Sequence, residues 1–390
     1  MRLSRLVVAF ALGSPTAAFA AQAIQDAPAK KPFTAQEVAQ FKEPWALAFL
    51  PDGRLLVTEK AGKLKLLGND GKVGEIAGVP KVDYGGQGGF GDVVLHPDFA
   101  SNKLVYYSYV EAGENDTHGA IVARAKLTLD DSGGGALDSP QVIWRQDPKL
   151  DGRGHYSHRI VFGQGKLWIS SGERQHFDPA QDMKTNLGKI LRLNDDGSPA
   201  DGNPFAEQGG VAAQVWTLGH RNVLGLAFNA KGELWDIEMG PRGGDELNFI
   251  ERGSNYGYPI VSNGDHYDGK IIPDHDTRPE FNAPELWWTP VISPGYLLFY
   301  DADAFPAWKG SALAAGLSSE AIVRIAFNGH DATEAERFDM GERIRSLALS
   351  PKGELYALED QDEGKGGRLL KLVPTMPANG AKPSEPPPDK

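Results

Sequence analysis

A short hairpin pattern recurs along the chain, and this repeat limits the possible folds more than any other feature. In each copy an alternating apolar segment is followed by a glycine-containing turn and then by a second alternating segment. Alternation with period two indicates β-strands, and the turns join them into antiparallel hairpins. The clearest copies have their first strands at residues 45–50, 159–162, 224–229 and 345–350.

Two more divergent copies begin near Gly91 and Gly295, which makes six units in all. Further strands are visible at residues 187–193, 322–327 and 368–373. This recurrence is typical of a β-propeller, and six blades of four antiparallel strands fit the length of 390 residues. A pair of β-sandwiches is the alternative, but a sandwich does not require hairpins that repeat in sequence. The predicted fold is therefore an all-β, six-bladed β-propeller.

The two ends of the chain differ from this body. Residues 1–20 combine a basic start, a short apolar segment and the triplet Ala18-Phe19-Ala20, which predicts a cleaved signal peptide and a periplasmic or secreted protein. A frayed N-terminal strand is the alternative. Residues 33–373 are predicted to form the propeller, and the proline-rich residues 374–390 a disordered tail.

Composition narrows the possible partners. The net charge of −12 disfavours nucleic acid or an anionic membrane as a partner. No internal stretch reaches 18 uninterrupted apolar residues, so no membrane span is predicted in the body. Cysteine is absent, but a propeller of this size buries enough core without disulfides.

Polar residues collect at the hairpin ends that lie opposite the turns. Because antiparallel strands return to the same end, residues before first strands and after second strands meet on one face, around the central channel. In the fourth unit this brings Arg221 next to the loop 240–246, a combination that suits an anionic ligand held with a hard cation. The candidates on this face are Gln87, His155, His158, Glu173, Arg221, Asn222, Gly240, Pro241, Arg343 and Arg345.

Each candidate also has an ordinary interpretation. His155 lies between glycines and a strand start, so it is a candidate base, although most lone histidines are surface or packing residues. Glu173 either orients this imidazole or is a solvated turn carboxylate, and His158 either supports the site or packs. Arg343 and Arg345 are two residues apart and share a side of the strand, so an anion lies between them unless both are solvated.

Seven motifs together resemble the soluble aldose sugar dehydrogenases, relatives of soluble quinoprotein glucose dehydrogenase. The resemblance covers residues 42–373, and the family fold is a six-bladed propeller. The motifs are GQGGFGDVVLHPDF, GHYSHRIVF, SGERQ, LGHRNVLGLAF, EMGPRGGDELN, GSNYGYP and GERIRSLALSP.

This resemblance implies oxidation of an aldose at C1 to the lactone, with hydride transfer to pyrroloquinoline quinone (PQQ) and calcium as a second cofactor. An unidentified soluble acceptor, a quinone or a cytochrome, then takes the electrons. The family's base falls on His155, the carboxylate that supports it on Glu173, and the group that stabilises the oxyanion on Arg221. The PQQ contacts fall on Gln87, Arg221, Asn222, Arg343 and Arg345.

The resemblance also implies two calcium ions. One would touch the cofactor and use the carbonyls of Gly240 and Pro241. The second, structural ion would use the Glu246 side chain and the Tyr256 carbonyl, which match the family's spacing of ten residues.

Two positions depart from glucose dehydrogenase. Glu173 stands in place of an aspartate, and Ser318 aligns with a PQQ-binding lysine, so part of the cofactor clamp is missing or replaced.

Two other function classes stay open on the sequence. One is a non-catalytic propeller of the same family that binds a sugar or a protein, and the other is a calcium-dependent lactonase propeller.

Overall fold

The computed structural model describes residues 21–23, 28–360 and 366–375. Within them the regular secondary structure is almost entirely β-strand, with one short α-helix, α1 (Phe99–Asn102). Short 3₁₀ segments lie at Asp178–Ala180, Ala206–Gln208, Gly210–Gln214, His275–Thr277 and Pro306–Trp308. No helix in the described part of the chain is long and apolar enough to cross a membrane.

The strands follow one another in antiparallel groups of four. Two N-terminal strands come first: β1 (Ala21–Gln22) and β2 (Phe33–Lys42). The first unit is β3 (Pro44–Phe49), β4 (Leu55–Glu59), β5 (Lys63–Leu67) and β6 (Val73–Ala77). The second is β7 (Phe90–Leu95), β8 (Leu104–Ala112), β9 (His118–Leu129) and β10 (Gly135–Arg145). The third is β11 (Ser157–Gly163), β12 (Lys166–Ser171), β13 (Lys189–Leu193) and β14 (Val215–Leu218).

The second half of the chain continues the pattern. The fourth unit is β15 (Val223–Phe228), β16 (Leu234–Glu238), β17 (Asp245–Phe249) and β18 (Leu286–Trp288). The fifth is β19 (Pro294–Tyr300), β20 (Ser311–Gly316), β21 (Ala321–Asn328) and β22 (Asp331–Asp339). The last unit is β23 (Ile344–Leu349), β24 (Leu355–Glu359) and β25 (Gly366–Pro374), and β2 pairs with β25 as its fourth strand.

The all-β fold with antiparallel hairpins is confirmed, but the described strands group into five sheets instead of six. The first two units form one eight-stranded sheet because β6 and β10 meet at their outer edges. This junction is a parallel contact of only two residue pairs, Ile76 with Gly135 and Ala77 with Ala136. On each side of it the strands form an antiparallel run of four.

The units are arranged in a closed circuit. The first strands contact one another in the order β3, β7, β11, β15, β19, β23 and back to β3. A separate apolar cluster fills each junction between neighbouring units, including the junction of the last unit with the first. Alternating side chains of one strand serve different junctions: Leu55 and Val57 face the last unit, whereas Leu56 faces the second.

The predicted segment boundaries are only partly within the described residues. The predicted signal peptide and most of the predicted tail lie outside them. Pro374 is the last residue of β25, and the Thr375 amide donates a hydrogen bond of 2.8 Å to the Pro32 carbonyl. Of the residues assigned to a disordered tail, Pro374 therefore belongs to the sheet and Thr375 is held by a backbone hydrogen bond beside it.

The buried Arg159 joins several units at the centre of the circuit. Its guanidinium lies 3.2 Å from the Asp92 carboxylate and donates to the carbonyls of Leu224 and Gly295 at 2.7 and 2.6 Å. It also stacks over the Trp45 ring at 3.7 Å. One side chain thus links five units beneath the face that carries the candidate residues.

Candidate active site

The structure brings His155 and Glu173 together at the predicted end of the third unit. Nδ1 of His155 is hydrogen-bonded to Oε1 of Glu173, and both side chains are buried. Oε2 of Glu173 accepts a hydrogen bond of 3.0 Å from the Phe177 amide. The His155 amide donates to Oε1 of Gln87 at 2.8 Å. The imidazole is thus held through Nδ1, which leaves Nε2 directed to another partner.

The protonation of this pair suits a base and the carboxylate that orients it. Burial lowers the pKa of His155 and the Arg221 guanidinium adds to this, while the hydrogen bond to Glu173 opposes it. Burial is the largest influence on the pKa of Glu173 and would raise it, but the hydrogen bond and charge of His155, with the Phe177 amide and the Arg221 charge, together lower that pKa. At neutral pH a neutral imidazole therefore faces an ionised carboxylate.

The two segments that carry the pair have a left-handed backbone at residues other than glycine. The φ angle is 48° at His155, 55° at both Ser157 and His158, 65° at Arg174 and 62° at Phe177. A side chain with a Cβ adopts this conformation at a cost of about 1–3 kcal/mol. Such strained residues cluster at functional sites, where the surrounding contacts hold them in place.

Glu238 holds the neighbouring Arg221–Asn222 turn. Its Oε2 accepts hydrogen bonds from the amides of Arg221 at 2.6 Å and Asn222 at 3.2 Å. The Arg221 side chain donates from Nη1 to the Gly240 carbonyl at 2.6 Å. This contact confirms the predicted proximity of Arg221 to the loop that follows β16.

A buried group of ionisable residues lies beneath this turn. Single ligand atoms of His220, Asp236 and Glu238 lie within 4.8 Å of one another. Nδ1 of His220 is 3.0 Å from Oε1 of Glu238 and 3.3 Å from Oδ2 of Asp236. Burial, with the charge of Glu238, raises the pKa of Asp236 well above its usual range. Nδ1 of His220 is hydrogen-bonded to Glu238, and the group therefore supports Glu238.

A cavity of about 230 Å³ opens beside the His155 segment. Four predicted cofactor contacts, Gln87, Asn222, Arg343 and Arg345, line it. Asn222 is tied to the His155 segment because its Oδ1 accepts hydrogen bonds from the amide and hydroxyl of Ser157, at 3.2 and 3.1 Å. The other lining residues are Glu43, Trp45, Lys60, Gly86, Tyr156, Ser157, His158, Leu224, Met239, Leu317 and Asp360.

The anion expected between Arg343 and Arg345 is supplied by the protein itself. Nε of Arg345 lies 2.9 Å from Oδ2 of Asp360, and Nη2 of Arg343 lies 3.8 Å from the same oxygen. Lys60 also lines this cavity, and burial followed by the charge of Arg345 lowers its pKa. Three cationic groups face two carboxylates, Asp360 and Glu43, so the wall has one positive charge in excess and favours an anionic ligand.

A second, much smaller cavity lies beside Arg221 and has the size of a single water or ion. Gly240, Pro241 and Glu246 line it, although the predictions divided them between two calcium ions. Tyr256 is not among its lining residues. The Tyr256 ring instead stacks on His220 with a centroid distance of 4.7 Å.

Comparison with known proteins identifies the family. The family profile described as glucose/sorbosone dehydrogenase matches residues 41–371. The protein named aldose sugar dehydrogenase YliI, from Escherichia coli, is 38% identical over 350 residues, which are 87% of this chain and 92% of that protein. The chain belongs to the glucose/sorbosone dehydrogenase family. The resemblance predicted from the motifs is confirmed, and the chain is an oxidoreductase of this family.

Solved structures of aldose sugar dehydrogenases have the same architecture. The apo form of the soluble aldose sugar dehydrogenase from Escherichia coli has a TM-score of 0.83 and 36% identity, covering 88% of this chain and 100% of that chain. The PQQ-bound aldose sugar dehydrogenase from Streptomyces coelicolor has a TM-score of 0.69 and 29% identity, covering 89% of this chain and 99% of that chain.

Sequence reasoning missed three residues of this glucose/sorbosone dehydrogenase site. Lys60 and Asp360 line the main cavity, and Glu238 holds the Arg221–Asn222 turn. Each lies at the end of a second strand, as Glu173 does, so applying the same positional rule to every unit would have found them.

The open question about His158 is answered by its contacts. Its ring stacks on Trp45 with a centroid distance of 5.0 Å, and Nδ1 lies 2.8 Å from Oγ of Ser108. Burial lowers the pKa of His158 to about 3, so the imidazole is neutral. His158, in the third unit, thus packs against the first and second units and forms part of the cavity wall.

Proposed function

We propose that this glucose/sorbosone dehydrogenase oxidises aldose sugars at C1 to the lactone and uses PQQ and calcium. The single observation that carries the proposal is the buried His155–Glu173 pair beside a cavity lined by Lys60, Arg343 and Arg345. A neutral base next to a cationic cavity suits abstraction of a proton from a sugar hydroxyl beside an anionic redox cofactor.

The residues of the main cavity fit PQQ. The cofactor is planar and carries three carboxylates, and Lys60, Arg343 and Arg345 supply cations for charge-assisted hydrogen bonds. Arg221 lies beside the two smaller cavities, and its Nε is buried without a hydrogen-bond partner in the described part of the chain. Such an unsatisfied donor is expected to find its acceptor on a ligand. Ser318 stands where glucose dehydrogenase has a PQQ-binding lysine. We infer that Lys60, which lies in another unit, replaces that lysine.

The donors around the small cavity fit calcium. Calcium binds carbonyl and carboxylate oxygens, and Gly240, Pro241 and Glu246 provide these types. The Gly240 carbonyl accepts a hydrogen bond from Arg221 and has a second lone pair for an ion. We assign Gly240 and Pro241 to the ion next to the cofactor. For the structural ion we retain Glu246 and the Tyr256 carbonyl.

The chain's own residues position the sugar and move the proton. When bound, PQQ supplies the hydride acceptor and calcium supplies the Lewis acid that polarises it. The hydrogen bond from Nδ1 to Glu173 directs Nε2 of His155 to take the proton of the anomeric hydroxyl. Glu173 stabilises the imidazolium that results. Arg221 donates to negative charge that develops at the reacting centre.

The fold and location complete the proposal. We interpret the circuit of contacts as a six-bladed propeller over residues 33–373, in which the eight-stranded sheet contributes two blades. Residues 1–20 have the pattern of a signal peptide, so we place the enzyme in the periplasm or outside the cell. A soluble quinone or cytochrome would receive the electrons there.

The other two function classes fit the site less well. A calcium-dependent lactonase would need side-chain carboxylate and amide ligands around the central channel, whereas Lys60, Arg343 and Arg345 line the main cavity. A non-catalytic sugar-binding propeller does not account for a neutral histidine oriented by a buried carboxylate.

Reconstitution of the apo-protein tests the proposal. We expect PQQ with calcium to give a protein that reduces a dye when glucose is added, and we expect no dye reduction with PQQ omitted. Binding of PQQ followed by no turnover with any aldose would contradict the proposed activity. Hydrolysis of a lactone by the metal-loaded protein without PQQ would favour the lactonase class.

A further inference from the structure

A third cavity adjoins the site and is lined largely by aromatic rings. Its volume is about 370 Å³, and its walls include Phe177, Tyr258 and Tyr267. Arg221 and Pro241 also line it and at the same time line the small cavity described above. The aromatic cavity therefore adjoins the small cavity at Arg221, which is proposed to stabilise charge at the reacting centre.

Two of the rings are exposed although they are large and apolar. Phe177 is 42% exposed and Tyr267 is 73% exposed, whereas Tyr258 at the inner wall is 5% exposed. The Arg221 guanidinium lies 5.8 Å from the Tyr258 ring and 5.9 Å from the Tyr267 ring. Exposed aromatic rings beside a reaction centre indicate a ligand surface.

Backbone hydrogen bonds hold Phe177 in a strained backbone conformation. Its φ and ψ are 62° and −76°, and the Asp178 amide donates to the His176 carbonyl at 2.8 Å, which forms a strained γ-turn centred on Phe177. The Phe177 amide also donates to Glu173, the residue that orients His155. The Phe177 backbone is thus fixed relative to the proposed base.

Tyr267 is held by a separate hairpin. The Gly269 amide donates to the His266 carbonyl at 3.0 Å, and this turn places Tyr267 at its tip. At the base of the hairpin, the Arg242 amide donates to the Asp265 carbonyl at 2.8 Å, and the Asp265 amide donates back at 3.2 Å. Arg242 follows Pro241, so the hairpin is tied to the loop that lines both smaller cavities.

We propose that Phe177 and Tyr267 form the sugar-binding wall of this enzyme, against which the apolar C–H face of a pyranose ring packs. A pyranose is apolar on its faces and polar at its edge. The aromatic rings match the faces, and Arg221, Asp268 and Lys270 in the same cavity match the edge hydroxyls. A wholly apolar ligand would take these groups out of water without replacing their hydrogen bonds to it. The identity of the ligand as an aldose rests on the proposed function.

Tyr267 gives the cleanest test because its side chain is exposed, and replacing an exposed side chain changes the stability of the fold little. Three variants are compared with the wild type: Tyr267→Ala removes the ring, Tyr267→Phe keeps it, and Ile271→Ala is the matched control. Ile271 is 82% exposed and close in sequence, but it does not line the cavity. Titration with PQQ serves as the check on folding and on the cofactor site.

In the reconstituted enzyme we expect Tyr267→Ala to raise the KM for glucose by about three- to tenfold and to change kcat less than twofold. Tyr267→Phe and Ile271→Ala should match the wild type in both constants, and all variants should bind PQQ equally. An unchanged KM in Tyr267→Ala would overturn the proposal. So would an equal loss in Tyr267→Phe, because the ring would then not be the binding group.

A second measurement separates this proposal from the proposed activity. The sugar 1,5-anhydroglucitol lacks the anomeric hydroxyl and cannot be oxidised at C1, so its binding is independent of turnover. In saturation-transfer NMR, its C–H protons should receive magnetisation from wild type, Tyr267→Phe and Ile271→Ala, and much less from Tyr267→Ala. This pattern would support the wall even if glucose oxidation failed. Absence of transfer from the wild type would overturn it.

Discussion

At the scale of single residues, Glu173 decides how the proposed base works. Its two oxygens bind Nδ1 of His155 and the Phe177 amide, so one carboxylate fixes both an imidazole and the backbone of an aromatic residue. The glutamate that replaces the family aspartate therefore retains contact with the histidine. The structure supports the predicted pairing, while the catalytic role of Glu173 stays a prediction.

The first prediction concerns pH. Burial lowers the pKa of His155, so the neutral base is lost only as the pH falls through a value below the usual histidine range. The acid limb of kcat/KM should accordingly lie below pH 6.5. Glu173→Gln removes the group that raises the pKa of His155, so the limb should move to lower pH and kcat should fall by about 10²-fold or more.

A pH–rate profile of both proteins, saturated with PQQ and calcium, checks this prediction. Glu233→Gln is the control because Glu233 lies in the turn of the fourth hairpin, away from the site. If Glu173→Gln keeps the wild-type limb and the wild-type kcat, the carboxylate does not act on the base.

At the scale of elements, several residues of the proposed site lie at the ends of the second strands of the hairpins. Lys60 follows β4, Glu173 follows β12, Gly240 follows β16 and Asp360 follows β24. Because the strands of a hairpin are antiparallel, the end of each second strand lies beside the start of the first strand, opposite the turn. The neighbouring units have polar groups at this same end of their hairpins. The site is thus assembled from equivalent positions of different hairpins.

The second prediction concerns the cationic wall. Lys60→Met, Arg343→Ala and Arg345→Ala should each weaken PQQ binding, because a hydrogen bond to a charged group contributes about 1.5–3 kcal/mol. Turnover of the saturated variants should change less than their affinity. Equilibrium titration followed by absorbance measures the PQQ affinity, and dye reduction measures turnover. Arg54→Ala is the control for both, because the Arg54 guanidinium pairs with Asp52 at the turn end of its hairpin. Unchanged affinity in all three wall variants would contradict the assignment.

The third prediction concerns the proposed structural calcium at Glu246 in β17 and the Tyr256 carbonyl in the loop that follows β17. Binding to the folded state alone stabilises it by about 2.7 kcal/mol at 100 times the dissociation constant. A chelator should therefore lower the Tm by several degrees even without PQQ. Glu246→Gln should reproduce part of this loss, and the enzyme with saturating calcium should stay active. A Tm that is indifferent to chelator in both proteins would show that this loop holds no structural ion.

The hairpin repeat and the face that carries the site could be predicted from the sequence, since alternation and glycine turns are local signals. The proximity of Arg221 to Gly240 followed from hairpin geometry. The Asp360 contact with Arg345, the short contact of β6 with β10 and the grouping of Glu246 with Gly240 did not follow. These contacts depend on packing between distant segments, which local periodicity does not encode.

At the scale of the whole molecule, Arg159 connects the units at the centre of the circuit. Asp92 is its counter-ion, and burial works against the charged form of each: it raises the pKa of Asp92 and lowers that of Arg159. The pair is stable because the guanidinium also donates to two carbonyls and stacks on Trp45. The candidate active site lies on this common support.

The fourth prediction follows from that support. Asp92→Asn keeps the shape of the side chain but leaves the Arg159 charge buried without its counter-ion. We expect the free energy of unfolding to fall by about 3–5 kcal/mol. Denaturant unfolding measures this against Asp52→Asn, a surface pair that should change stability by less than about 1 kcal/mol. Equal stability of the two variants would show that Arg159 does not hold the units together.

The most direct test of the central claim is a single-turnover measurement on the PQQ-loaded protein. Glucose is mixed rapidly with the wild type, with His155→Asn and with the surface control His330→Asn, and reduction of bound PQQ is followed by absorbance. The account predicts rapid reduction in the wild type and in the control. In His155→Asn it predicts reduction slower by about 10²–10⁴-fold at unchanged PQQ affinity, since the base is lost and the cofactor site is not. Reduction in His155→Asn at the wild-type rate would contradict the account.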